Sequence, residues 1–336
     1  MLRYDIVKNA LHKVNQPRVP YCIRFTSEYA GKYRDEIIKR YACKSVLKHR
    51  DEFGDCVSDI FTFLDLAIGN SVVGIYPPWW NWDFDQDEFR KQPDIPHYEI
   101  RTFGSGSYDK LFRQVETAKE ISGAYLTAFI YGSHIEKFQI LRGLENSLAD
   151  IAGDVEGSRT ILNFIIGKNL VMLENIVHIS GLDGILLGSD WGTQRGLLIS
   201  PSSWRELIKP GEQLEYNLIK RAGKDIWIHS CGDIAAILPD LAEMGVDVLN
   251  PIQPECMDIY ALKDTYGNKL SFWGGISTQR TLPNGTPQEV REETRRVVNY
   301  LSKNGGYIVS PAQEIQLDVP LENVFALIDT AMEYCH

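Results

Sequence analysis

From residue 183 onward the chain alternates short apolar runs with amphipathic helical stretches, and nothing else in it constrains the fold as strongly. Asp183–Leu187 precedes a helix that Ser200 caps, with Pro201 at its first position, where a missing backbone N–H costs nothing. Asp225–His229 precedes a helix over Asp233–Met244, and Val246–Asn250 precedes a short helix near Asp258–Tyr266. Leu270–Trp273 leads through a Pro/Gly loop to a helix opening Thr286-Pro287-Gln288-Glu289, a Thr cap with Glu three residues on. Tyr307–Ser310 precedes the last helix, Leu321–Tyr334. Strict alternation of this kind demands a parallel sheet covered by helices, because parallel neighbours need a crossover that packs back onto the sheet.

Three earlier candidate strands, Arg18–Phe25, Val72–Tyr76 and Tyr125–Ile130, bring the five up to eight, the number that closes a barrel. No GxGxxG or GxxxxGK[ST] follows any strand, which removes the main open-sheet cofactor signatures. The expected fold is therefore α/β, a (β/α)8 TIM barrel, with residues 1–336 forming one domain. Residues 1–120 hold an N-terminal elaboration and the first strands, and residues 121–336 the regular βα units. Helical patches lie at Tyr33–Lys48 and Asp109–Ile121. The aromatic loop Pro77-Pro78-Trp79-Trp80-Asn81-Trp82, followed by the acidic, Pro-punctuated stretch Phe84–Glu99, reads equally as part of a lid and as a packing or dimer contact.

Composition narrows the class of partner. The fractions of hydrophobic residues (44%) and charged residues (24%) are those of a globular protein and exclude disorder, collagen and coiled coil. A net charge of −10 without any dense Lys/Arg run argues against nucleic acid or an anionic membrane as partner. A small anionic substrate held by a few arginines stays compatible with it. The six cysteines are scattered without CxxC pairs, no apolar segment follows Met1-Leu2-Arg3, and no stretch is apolar enough to span a bilayer. A cytoplasmic protein with reduced thiols is expected, not a disulfide framework.

In an α/β barrel, chemistry gathers where strands end. The sharpest segment there is His229-Ser230-Cys231-Gly232. Residues i and i+2 of a strand project the same way, so an imidazole and a thiolate can converge on one metal ion. Zn2+ accepts that pair and needs a third ligand, leaving a fourth position for substrate. The competing reading, a partly buried His beside an inert Cys, is what such pairs in isolation usually are, and the position at a strand end brings the metal reading level with it. Asp190, ending the neighbouring strand, is a candidate ligand, base or substrate anchor, or else a loop cap. Arg195 and Arg280, each after a Thr-Gln pair, suit a carboxylate clamp or an inter-loop salt bridge. Gln253 and Gln279 lie in two further strand-end segments and are candidate substrate contacts. Cys22, Cys256, His97, His134 and His178 have no partner at ligand spacing.

At these positions the chain resembles the uroporphyrinogen decarboxylase superfamily, which includes corrinoid-dependent methyltransferases. The resemblance runs through Leu187-Gly188-Ser189-Asp190-Trp191-Gly192, Ile228-His229-Ser230-Cys231-Gly232, Asp247-Val248-Leu249-Asn250-Pro251, Phe272-Trp273-Gly274-Gly275-Ile276 and Asp318-Val319-Pro320-Leu321. It covers nearly half the chain and implies a (β/α)8 barrel. The resemblance also implies that a porphyrin decarboxylase carries an N-terminal Arg-Gln-Ala-Gly-Arg stretch for the tetrapyrrole carboxylates. Here that region reads Arg24-Phe25-Thr26-Ser27-Glu28, which forfeits several charge-assisted bonds and disfavours porphyrin decarboxylation. The methyltransferase branch implies a His-x-Cys pair plus a later Cys on zinc. His229 and Cys231 match the pair, whereas Ala312-Gln313-Glu314 stands where the later Cys is expected. A carboxylate from Glu314, Glu255 or Asp190 is the natural substitute, with Glu314 taken as the third ligand and Asp190 as the catalytic group.

Three functions follow as expectations. The first is methyl transfer between a small methylated substrate, methoxyaromatics included, and a corrinoid carried by a partner protein, with zinc as Lewis acid. The second is decarboxylation of a smaller acid or an atypical tetrapyrrole. The third is a catalytically idle barrel that binds a ligand. The resemblance also implies a homodimer.

Overall fold

The computed structural model describes residues 3–42, 60–77 and 108–335. Its strands are β1 (Val72–Ile75), β2 (Tyr125–Ile130), β3 (Gly184–Gly188), the short β4 (Gly192–Thr193) and β5 (Gly196–Leu197), β6 (Asp225–His229), β7 (Val248–Ile252), β8 (Ser271–Ile276) and β9 (Tyr307–Pro311). Seven of them form one parallel sheet in the order β1-β2-β3-β6-β7-β8-β9, while β4 and β5 make an antiparallel hairpin beyond the end of β3. Helices separate the successive staves, as parallel connections require.

The eighth stave is the extended segment around Tyr21–Phe25, expected as a strand and held instead by isolated bridges. On one side it pairs with β9, where the Cys22 N–H donates to the Val309 carbonyl (2.9 Å) and the Val309 N–H to the Pro20 carbonyl (2.9 Å). On the other side one backbone bond, from the Ser71 N–H to the Tyr21 carbonyl (2.8 Å), is continued by side chains: the Ile23 N–H donates to Asn70 Oδ1 (2.9 Å) and the Asn70 amide returns to the Ile23 carbonyl (3.0 Å). Pro20 has no N–H to offer, so regular pairing cannot begin there. The sheet nevertheless closes, and the chain is a (β/α)8 barrel.

Period-two alternation sorts the staves' side chains into two cores. Inside the barrel lie Val72, Tyr125, Phe129, Leu186, Trp227, Val248, Trp273 and Ile308. Between staves and helices lie Ile185, Leu187, Ile226, Ile228 and their helical neighbours. Each large side chain taken from water contributes roughly 1.5–3 kcal/mol, so the aromatic interior is a strong commitment to this register. Helix Arg3–Leu11 plugs the amino-terminal end, with Val7 in the inner cluster and Lys8 Nζ 2.6 Å from Asp225.

Local signals hold with shifts of a few residues. Ser200 accepts the Ser203 N–H ahead of Pro201, and Thr286 with Glu289 forms a reciprocal capping box. The expected helix Asp233–Met244 is a 3-10 turn, Ala235–Ile237, followed by Leu238–Glu243, because Pro239 has no N–H to carry an earlier helix through. Helix Ser27–Tyr41 starts earlier than expected, on the Thr26 cap. The Trp79, Trp80 and Trp82 loop, the stretch Phe84–Glu99 and His97 lie outside the described residues. Cys22, Cys231, Cys256 and Cys335 are free thiols. No described helix is long and apolar enough to cross a membrane.

Candidate metal centre at the barrel mouth

Strand β6 ends in His229, and the pleat carries Cys231 back to the same side, setting Sγ 3.6 Å from His229 Nε2. Its neighbour β3 is registered with Gly188 opposite His229, so the residues following both strands rise side by side. Asp190 Oδ1 accepts the Cys231 N–H at 2.8 Å and lies 3.7 Å from His229 Nε2. Two glycines permit this approach. A Cβ on Gly232, whose φ is +83°, would stand 2.6 Å from the Gly192 carbonyl carbon, and a Cβ on Gly192 would stand 2.4 Å from the Cys231 oxygen. Ser230 Oγ accepts the Trp191 N–H (3.0 Å), and Gln253 Oε1 accepts the Gly232 N–H. Side chains thereby fasten the two loops, and the Asp233 N–H on the Thr193 carbonyl (2.7 Å) adds a backbone link.

His229 is oriented as a metal ligand needs to be. Its Nδ1 lies 2.6 Å from Asn250 Oδ1, and the Asn250 amide nitrogen donates to the Trp273 carbonyl (3.3 Å), which fixes which end of the amide faces the ring. Nδ1 therefore carries the proton, and the Nε2 lone pair is directed at Cys231 and Asp190. Tyr131 meets the imidazole edge-on at 5.0 Å between centroids and prevents it from turning.

Asp190, His229 and Cys231 each offer one ligating atom, and the three atoms lie within 4.8 Å of one another. Bonds of about 2.0–2.3 Å to a tetrahedral ion separate its ligands by about 3.3–3.8 Å, and the two distances to Nε2, 3.6 and 3.7 Å, fall in that range. Charge agrees. Burial first, then the negative charges of Asp190 and Glu136, push the Cys231 thiol up to about 12, so a thiolate here calls for a cation. Glu136 accepts the backbone N–H groups of Asp190 and Gly132. Its own carboxyl is raised to about 7 by burial and then by Asp190. Gln313 Nε2 lies 3.2 Å from Cys231 Sγ, placing its amide in the stretch where the resemblance leads one to expect a third cysteine.

The other expected site residues are dispersed. Glu314 stands apart from the three-donor cluster: its carboxylate pairs with Arg24 Nη1 at 3.0 Å. Both line the narrow cleft that opens beside His229. Arg24 is buried, with its guanidinium 4.7 Å from the Phe129 ring centre and hydrogen-bonded to Tyr131 and Tyr76. Arg195 is exposed at the tip of the β4–β5 hairpin, its N–H on Thr193 Oγ1 (3.1 Å). Gln253 is buried under the Gly232 turn, in a supporting position. Gln279 is exposed, with its N–H on Glu255 Oε1 (3.3 Å), and Glu255 also takes the Ser277 hydroxyl. Arg280 lines a separate cleft with Glu255 and Glu293. His134 is buried against Glu212 (2.9 Å), Cys22 is buried near the Val72 carbonyl, and His178 is exposed. Sequence reasoning missed Asn250, Tyr131, Glu136, Gln313 and the pairing of Arg24. Asn250 had a usable signal as the last residue of an expected strand beside the one ending in His229, and Gln313 had one in its place within the stretch where a later Cys was expected.

An α/β barrel carrying a nitrogen, sulfur and oxygen donor set where its strands end is the class these features define. The uroporphyrinogen decarboxylase (URO-D) family model matches residues 110–334, and the chain belongs to that family. It is similar to a methylated-thiol–coenzyme M methyltransferase of Methanosarcina mazei, 28% identical over 136 residues, 40% of this chain and 34% of the relative. It is also similar to the methylcobamide:CoM methyltransferase MtaA of Methanosarcina barkeri, 27% identical over 138 residues, 41% of this chain and 38% of the relative. The match thus spans little more than a third of either curated relative. A solved methyltransferase from Methanosarcina mazei superimposes over 100% of both chains with a TM-score of 0.72 at 16% identity, a likeness of fold.

Proposed function

We propose that this protein is a methyltransferase that moves a methyl group between a small methylated substrate and a corrinoid carried by a partner protein. In this reading Asp190, His229 and Cys231 hold a zinc ion. The convergence of those three donors at adjacent strand ends carries the proposal. When bound, zinc supplies a Lewis acid that draws charge from the substrate heteroatom losing or gaining the methyl group. The names of the two curated relatives support the same class of reaction for this chain.

The chain's own residues have separable tasks. Asn250 holds the proton on His229 Nδ1 and keeps Nε2 as the ligating atom. The Gln313 amide donates to Cys231 Sγ and tempers its negative charge. Gln253 anchors the turn that follows the thiolate. Tyr131 and Trp273 are aromatic walls of the narrow cleft beside His229, whose volume of about 20 Å3 admits a group of methyl size and leaves the rest of a methyl donor outside it. Asp190 takes the ligand role earlier given to Glu314, because Arg24 already neutralises Glu314.

Arg24, a buried cation lining the same cleft, favours a second reading as a carboxy-lyase. Its pairing with Glu314 weighs against this, since a substrate carboxylate would have to displace that partner. The test is elemental analysis of protein purified without chelator, together with methyl transfer assayed on methylated thiols, amines and methoxyarenes with a corrinoid protein. About one zinc per chain, lost in His229→Ala along with methyl transfer, is the expected result. Protein without zinc whose His229→Ala variant still transfers methyl groups sinks the proposal, and CO2 release without corrinoid favours the lyase.

A further inference from the structure

The opposite, amino-terminal end of the barrel carries a half-open cleft of about 480 Å3, a volume in the range of small-ligand sites. Lys13, Lys263, Lys303, Asn268, Tyr300 and Asp264 are among its lining residues. Lys13 follows the plugging helix and reaches Ser271 Oγ at the start of β8. It is brought there by a close backbone contact: a Cβ on Gly305 would lie 2.9 Å from Lys13 Cα, so the turn leading into β9 packs directly on it. Lys263 is 8% exposed, and its Nζ donates to the Gly305 carbonyl.

Three lysines line this cleft with one carboxylate, Asp264, which is engaged elsewhere, and Asp247, which also acts on Lys13, is paired with Lys220. Both Asp264 oxygens accept from the Tyr300 hydroxyl, at 3.0 and 2.9 Å. Among the described residues no carboxylate lies within 4.0 Å of Lys13, Lys263 or Lys303 Nζ, whereas the nearby Lys8, Lys119 and Lys220 each have an aspartate within 2.6 Å. Burial lowers Lys13 to about 8, with further lowering from the Lys263 charge, and burial also lowers Lys263 to about 8. Ammonium groups taken this far from water with no carboxylate in contact are costly, and Lys13 and Lys263 each retain donor capacity beyond one neutral acceptor.

We infer that this cleft binds the phosphate group of a small molecule, with the half-buried Lys13 and the buried Lys263 as donors and Lys303 at the rim. An oxyanion offers several acceptor atoms at once, which suits ammonium groups converging from three segments of chain. Free phosphates and phosphate esters share this chemistry, and the two are separated by probe.

Isothermal titration of the intact protein at low ionic strength with inorganic pyrophosphate and with AMP tests the site. Saturable binding of at least one probe is expected, weakened at least tenfold in Lys13→Met and several-fold in Lys303→Met. Tighter pyrophosphate binding assigns the site to free phosphates, and tighter AMP binding assigns it to phosphate esters. Lys303 is exposed, so its variant keeps the fold and serves as the second measurement should Lys13→Met lose stability. No saturable binding of either probe, or unchanged affinity in Lys303→Met and in a folded Lys13→Met, overturns the inference.

Discussion

Acidic residues stand at both ends of this barrel, and the two ends treat them differently. At the amino-terminal end Asp183, Asp225 and Asp247 each meet a lysine: Lys119 at 2.5 Å, Lys8 at 2.6 Å and Lys220 at 2.5 Å. At the carboxyl end Asp190 meets no lysine or arginine among the described residues and faces an imidazole and a thiol instead. Balanced charge closes a structure, whereas donors gathered without a cation describe a binding site. For these aspartates, the contrast sets closed ion pairs at one end against donors gathered beside an imidazole and a thiol at the other.

The largest effect that sharpens the comparison belongs at the mouth. His229→Ala and Cys231→Ser should each reduce zinc content from about one per chain to a small fraction. Methyl transfer should fall at least about a thousandfold, a loss of about 4 kcal/mol in transition-state stabilisation. Chelator-treated wild type should match them, and unfolding curves of the metal-free proteins should nearly superimpose. Equal activity with and without bound zinc would break the comparison from this side.

Next in size is the base. Asp225 holds Lys8 and also accepts the Tyr125 hydroxyl, both part-buried. Asp225→Asn should lower stability in urea titration by about 1–3 kcal/mol while leaving zinc stoichiometry unchanged, because a partner charge is stranded far from the donors. Loss of zinc in this variant would show that the two ends are not independent.

A comparable or smaller effect concerns the turn after the thiolate. Gln253→Ala removes the acceptor for the Gly232 N–H, and zinc affinity measured against a competing chelator should fall about 10–100-fold with all three ligands present. An unchanged affinity would mean that the Gly192–Gly232 contact holds the turn without help.

The smallest concerns Glu136 in metal-stripped protein. Its folded-state value, about 7, exceeds the ordinary 4.5, so folding favours the protonated carboxyl. The associated stability is complete below about pH 4.5 and is lost as pH rises through about 7. Glu136→Gln should remove that decline, leaving the variant about 1–2 kcal/mol less sensitive than wild type over this window, a discounted figure because the group is only partly buried. Parallel pH profiles for the two proteins would place the Glu136 charge in solvent.

Much of this architecture was legible along the chain, because its causes are local. The five βα units after residue 183 announced themselves through apolar runs, Pro201 at a helix start and the Thr286–Glu289 box. Their boundaries moved by a few residues where tertiary contacts decided them, as when β8 continued through Gly274 and Gly275 to Ile276. The eighth stave was the hardest to read, since Asn70 and Ser71 side chains stand in for part of its ladder.

The site divides along the same line. Residues two apart on a strand share a face, so the sequence alone set His229 and Cys231 side by side. The third donor was beyond it. Asp190 and Glu314 are equally acidic in one dimension, and what separates them is the alignment of Gly188 with His229 on one side and the guanidinium of Arg24 on the other. Both facts arise from packing between distant segments, where a carboxylate takes its role from whichever charges and N–H groups the closed barrel sets beside it.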